Sequence, residues 1–143
     1  MDHVVYLDTK AEELVKILDG SKTMIIRGAA GRKMPYGRVD EGDILYFIEN
    51  KGDGLIKASA EVRNVFNSEK LTEDESKNLV EENQPKLNLT NAQKKRWAGK
   101  RYLVLIEISN AVEIHPFTID RSNYGNMDDW LPVRDIGEIK VSD

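Results

Sequence analysis

Residues 41–63 read EGDILYFIENKGDGLIKASAEVR, and this stretch sets the architecture. Glu41–Gly42–Asp43 is a turn, and the apolar, β-branched and aromatic run after it is a strand. KGDG at 51–54 is a hairpin turn signal. Beyond it apolar and polar residues alternate. Ile56, Ala58, Ala60 and Val62 fall on one face, and Lys57, Ser59, Glu61 and Arg63 on the other. A strand, a tight turn and a strand of period two predict an antiparallel hairpin with one buried face.

Working outward, VVYLD (4–8) predicts a strand. Thr9 and Glu12 have capping-box spacing, and Ala11, Leu14, Val15 and Leu18 recur at helical intervals, so the prediction is a helix over 9–19 stopped by Gly20. KTMIIR (22–27) predicts a strand, and Gly28, Gly31, Pro35 and Gly37 make the following segment a loop. Downstream, the Thr72–Glu75 pair opens a helix ending near Asn83, where QPKLNL breaks it. Thr90 and Gln93 open a third helix, which Gly99 ends. RYLVLIEIS (101–109) predicts a long buried strand, and AVEIHPF (111–117) continues or pairs with it. IGEIKV (136–141) predicts a last strand after the loop DRSNYGNMDDWLPV. In that loop Trp130 and Tyr124 either plug one barrel end or offer a stacking platform. Leu131–Val133 and the acids Asp128 and Asp129 favour the plug.

The order β-α-β-β-β-α-α-β-β-β is rich in hairpins and poor in helix. It predicts an α+β chain: a small, mixed, mostly antiparallel β-barrel with a few short helices, residues 1–143 forming a single domain. The composition is that of a globular protein, with 40% hydrophobic and 32% charged residues. No apolar run approaches the roughly 20 residues that span a bilayer. MDHVVYLD enters a strand pattern with no export signal, so the expected location is the cytoplasm. There is no cysteine, and the two histidines, His3 and His115, stand apart, so neither a metal site nor a cofactor is expected.

The net charge is −4, yet residues 20–38, GSKTMIIRGAAGRKMPYGR, hold Lys22, Arg27, Arg32, Lys33 and Arg38 without one acid. A local basic groove is compatible with an acidic whole. GAAGRK (28–33) has neither the Walker A spacing nor the helix that must follow it, and its GXXG follows a strand, where a KH loop joins helices. The readings left are a loop that closes on a ligand and a plain connector. Lys22 and Arg27, five positions apart, point to opposite faces of one strand unless it bulges or Arg27 turns inward at its end. Lys22 is either a phosphate or proton-handling lysine or a solvated one. A second cluster, QKKRWAGKR (93–101), sets Lys94, Lys95, Arg96, Lys100 and Arg101 around Trp97. Cations interleaved with an aromatic suit single-stranded RNA. The plainer alternative is a core-facing Trp97 under a solvated basic face. The acids of 69–82 read chiefly as solvated helix charges.

Leu18, Gly20, Lys22, Thr23 and Arg27, then Gly42, Asp43 and Phe47, then Ala58, Ala60 and Val62, form an ordered set that resembles the ASCH family of the PUA-like barrel superfamily. The resemblance covers about residues 3–66 and, less closely, 101–109. It implies binding of RNA or a modified nucleoside in a cleft beside the barrel. One branch of the family is an acetylcytidine amidohydrolase, whose reactive lysine matches Lys22. The threonine that the branch has three residues further on is Ile25 here, and the nearest match to its glutamate is Glu82.

The expectation is therefore a module that binds RNA or a modified nucleotide in a basic cleft. Lys22, Arg27, Arg32, Lys33 and Arg38 line one side, Lys94, Lys95 and Arg96 another, and Tyr36 or Trp97 stacks on a base. Two alternatives stand beside it. One is an amidohydrolase acting on an acylated nucleoside through Lys22 and Glu82. The other is a non-enzymatic protein-interaction module. Neither a membrane nor a metal partner is expected, and the sequence does not specify an oligomeric state.

Overall fold

The hairpin at 41–63 is present in the computed structural model, which describes residues 1–124 and 129–141. Strand β3 (Ile44–Glu49) pairs antiparallel with β4 (Ile56–Asn67), and Ile56, Ala58, Ala60 and Val62 are all buried. The remaining elements are β1 (Asp2–Leu7), α1 (Glu13–Leu18), β2 (Met24–Ala29), α2 (Glu73–Leu87), α3 (Asn91–Trp97), β5 (Tyr102–Phe117) and β6 (Trp130–Val133), followed by a 3₁₀ turn at Ile136–Glu138.

The strands form a six-stranded sheet in the order β2-β5-β4-β3-β1-β6. The β1–β3 pair is parallel and the others are antiparallel. Register shifts along β4 and β5 mark bulges, which raise local twist. The sheet curls into a half-barrel. Its inner face buries Val5, Ile25, Phe47, Val62, Ile106 and Trp130 in one cluster, so both end strands reach the same core. Helices α2 and α3 cover an outer face, where Val80, Leu87 and Trp97 pack on Met24, Ile26, Leu103 and Leu105. The tail covers the other, with Leu131 and Ile139 on Val4, Ile48 and Ile56.

Three elements depart from the sequence-based expectations. The first helix starts at Glu13, because Glu12 is left-handed at φ 56° and caps nothing. Thr9 instead donates its hydroxyl to the Asn50 carbonyl at 2.7 Å. The turn is fixed by a pair displaced from the predicted one. Ala11 N–H donates to Asp8 Oδ1 at 3.1 Å, and Asp8 N–H to Glu13 Oε1 at 2.8 Å. Glu13 and Ile17 therefore face inward, and Val15 is left exposed. Helix α2 runs through Pro85 to Leu87 rather than ending near Asn83. Pro85 gives up the hydrogen bond to the Glu81 carbonyl, but the carbonyls at the helix end find outside donors, Thr23 N–H donating to Lys86 O at 2.9 Å. Segment 111–117 continues β5 instead of pairing with it, one of the two arrangements expected, with Asn110 at φ 53°. The last strand lies at Trp130–Val133, and 136–138 is a 3₁₀ turn. Pro132 fits because β6 is an edge strand. Asp128 lies outside the described residues. The capping boxes at Thr72–Glu75 and Thr90–Gln93 are both formed.

Trp130 is buried in the inner core, as a plug. Its Nε1–H donates to His3 Nδ1 at 3.0 Å, while His3 Nε2 meets Asp43 Oδ2 at 2.9 Å. With Nδ1 accepting, the ring's one proton sits on Nε2, so the buried histidine is neutral in this arrangement. Burial lowers its pKa, against the raising influence of Asp43. The α-amino group of Met1 lowers it further, and Asp2 raises it slightly. The unfolded chain then binds a proton that the folded one refuses. Stability should be level above the unfolded histidine value of 6.5 and should fall as pH drops from there toward the depressed folded value. Urea unfolding across this range checks it, with His3→Gln expected to flatten the slope. A wild-type profile without slope there would contradict the reading.

Candidate functional site

Two cavities open where the free ends of the curled sheet approach each other, and they share a wall. The smaller, about 420 Å³, is lined among others by Tyr6, Asp8, Lys10, Glu13, Lys51 and Gln93. The larger, about 730 Å³, is lined by Gly28–Gly31, Lys33, Tyr36, Lys100 and Val104. Arg27, Arg96, Trp97 and Asp129 line both and form the partition between them.

Arg27 lies on β2 two positions after the inward-facing Ile25, and its guanidinium crosses toward the far end of the sheet. Its Nη2 donates to the Tyr6 carbonyl of β1 and its Nη1 to the Ile26 carbonyl, each at 2.8 Å. It lies 5.6 Å from the Trp130 ring on β6 and 5.9 Å from the Trp97 ring on α3. Arg27 is only 6% exposed, and its Nε has no hydrogen-bond partner among the described residues. The nearest anion is Asp129, with Oδ2 at 3.5 Å from Nε and also 3.5 Å from Arg96 Nη2. Arg96 itself lies flat enough on Trp97 to bring its guanidinium carbon 4.3 Å from the ring centre. Gly28 lets this floor approach β5, since a Cβ there would meet Leu103 Cδ2 at 2.7 Å.

Lys22 precedes β2, so the alternation of a strand does not govern it. It is 1% exposed, with Nζ 2.5 Å from the Leu87 carbonyl and 3.4 Å from Glu13 Oε2. The ammonium thus sits at the C-terminus of α2, where the helix dipole favours a cation. Burial lowers its pKa, partly offset by Glu13. Lys22 lines neither cavity, whereas Glu13 lines the smaller.

Of the residues singled out in the sequence, the structure brings Arg27, Lys33, Tyr36, Arg96 and Trp97 to one cleft. Tyr36 donates its hydroxyl to the Ser68 carbonyl and meets Tyr102 edge-on, with Arg32 lying over both rings at 5.6 and 5.5 Å. Arg32, Arg38, Lys94 and Lys95 line neither cavity, and Lys94 pairs with Glu81 at 3.3 Å. Glu82 is exposed on α2, also away from both. Lys10, Glu13, Lys51, Gln93 and Asp129 went unmarked as site residues in the sequence, since each sits in a locally ordinary context. Among the described residues no group of three His, Asp or Glu side chains could hold a metal ion, and no helix is long and apolar enough to cross a membrane.

A curled, mixed six-stranded sheet with two helices on one outer face and a cleft at its open seam defines a small α+β half-barrel. The solved structures that share it include the ASCH protein of Zymomonas mobilis, with a TM-score of 0.69 at 14% identity over 93% of this chain and 87% of that one. A tyrosine-to-phenylalanine variant of that protein gives 0.71 at 15% identity, covering 96% of this chain and 93% of that one. The fold is therefore ASCH-like. No protein-family model matches the chain, and no curated protein sequence matches it.

The Lys22–Glu13 pair makes a stability prediction. Lys22→Met strands a buried carboxylate and should cost about 3–5 kcal/mol. Adding Glu13→Gln, which still accepts the Asp8 N–H, should recover part of that loss in urea unfolding. A double variant no more stable than the single one would show that the pair is not coupled.

Proposed function

We propose that the chain is a binding module for RNA or a modified nucleotide, with the ligand lying along the two joined cavities. One observation carries the reading: cations far apart in the chain, Arg27 and Lys33 on one side and Arg96 and Lys100 on the other, line one hollow in a protein of net charge −4. Concave, partly apolar sites with a few convergent polar groups are the usual form of ligand pockets, and both volumes fall in the usual range. Cations at the walls hold phosphates, and the exposed Arg96 guanidinium, backed by the buried Trp97 ring, offers a planar face for a base. The ASCH-like fold supports the same reading by analogy of fold alone.

The amidohydrolase alternative has less behind it. Lys22 is tied to the Leu87 carbonyl and to Glu13, and Glu82 lines neither cavity. The position of the branch's threonine is a fully buried Ile25.

The test is salt dependence. Fluorescence anisotropy with a labelled single-stranded RNA oligomer should show affinity falling as salt rises, with a log–log slope of about −0.7 for each phosphate neutralised. Lys33→Glu with Lys100→Glu, both exposed positions, should weaken binding about tenfold or more and make the slope shallower. No binding at low salt, or binding indifferent to both salt and charge reversal, would overturn the proposal.

A further inference from the structure

The partition between the cavities has a feature that a generic basic cleft does not need. Arg27 Nε is buried on that partition with no hydrogen bond to any of the described residues, although buried polar groups are nearly always paired. Asp129 supplies charge without supplying the bond. Its carboxylate stands 3.5 Å from Arg27 Nε and 3.5 Å from Arg96 Nη2, well outside the roughly 2.7–2.9 Å of a charge-assisted hydrogen bond. The cause is its tether. Tyr6 N–H donates to the Asp129 carbonyl at 3.0 Å, which fixes the main chain to β1, and a short side chain cannot close the remaining gap.

We propose that this partition is the seat of one phosphodiester, that Asp129 stands in for it in the free protein, and that a nucleoside enters each flanking cavity. The inference rests on the nucleic-acid reading above and narrows it to an internal phosphate of a single strand. A phosphodiester has two unesterified oxygens sharing one negative charge. One can accept from Arg27 Nε–H while the other accepts from Arg96, at distances the aspartate does not reach. A terminal phosphate needs ligand on one side only. A diester continues in both directions, as the partition does, with 420 Å³ on one side and 730 Å³ on the other. Cations stand ready beyond it on both sides, Lys10 and Lys51 by the smaller cavity and Lys33 and Lys100 by the larger. They suit the next phosphates of a continuing strand. Asp129 then sets affinity by competition, because the incoming anion has to displace a carboxylate from the two arginines.

Calorimetric titration separates the parts of this claim. The probes are the dinucleoside monophosphate adenylyl-adenosine, adenosine monophosphate and inorganic phosphate, each added to the full chain and to Asp129→Asn. The dinucleoside monophosphate should bind about tenfold or more tighter than the mononucleotide. Asp129→Asn, nearly isosteric and leaving the main-chain tether intact, should tighten the dinucleoside monophosphate and inorganic phosphate about five- to tenfold. Asp129→Ala should act in the same direction. A mononucleotide that binds as tightly as the dinucleoside monophosphate, or neutral variants that bind no better, would overturn the proposal. If that happens while the RNA oligomer still binds with its salt dependence, the phosphodiester seat alone is lost. If the oligomer does not bind either, the reading of the cleft falls with it.

Discussion

Arg27 reaches across the one seam the sheet leaves open, and both the barrel shape and the cleft follow from where its guanidinium is held. It springs from β2, donates to the backbone of β1 and faces the ring of Trp130 on β6. No ladder joins β2 to β6 in the strand order, so side chains have to span the gap that backbone hydrogen bonds close elsewhere. A planar cation suits the task. Its two Nη groups satisfy carbonyl oxygens in fixed directions, and its faces lie against indoles. The third direction, Nε, has no hydrogen bond among the described residues and faces Asp129 at 3.5 Å.

The second constraint lies behind the cleft. Lys22 ties α1 to the end of α2 through Glu13 and the Leu87 carbonyl, with Thr23 N–H taking the Lys86 carbonyl beside it. Two charges taken out of water together must be held in good geometry to be worth their desolvation. Here the reward is placement. The pair fixes α1, whose Glu13 forms cavity wall, against the helical layer whose next segment carries Gln93, Arg96 and Trp97. The basic residues on the walls can then be rigidly spaced although they come from loops and short helices.

How much of this the sequence discloses depends on whether each signal is local. The hairpin at 41–63 and the caps at Thr72 and Thr90 are legible because alternation, turn and cap chemistry act within a few residues. The same capping spacing at Thr9 misleads, because burying Glu13 against Lys22 shifts the helix start and frees Thr9 for Asn50. Pro85 looks like a stop, yet Lys22 Nζ and Thr23 N–H donate to the Leu87 and Lys86 carbonyls at the helix end, which would otherwise be orphaned. In the cleft, two clusters of positive charge are visible in the sequence, and the structure brings members of both to one hollow. Which members reach it is not visible. Lys94 and Lys95 sit beside Arg96 in sequence but point off the cavity walls, and Lys10 and Lys51 reach the walls from acidic or turn contexts. Asp129, whose charge in the sequence only favours Trp130 as a plug, lies between two arginines because β6 runs beside β1, a pairing that WLPV does not announce.

The account stands or falls on the Nε–H of Arg27, which has no hydrogen bond among the described residues. The direct measurement is its ¹H–¹⁵N resonance, assigned by loss in Arg27→Lys and followed as single-stranded RNA is added. A new charge-assisted hydrogen bond should move the proton well downfield and slow its exchange with water. A resonance that keeps its shift and exchange rate while RNA binds elsewhere on the chain would contradict the central claim.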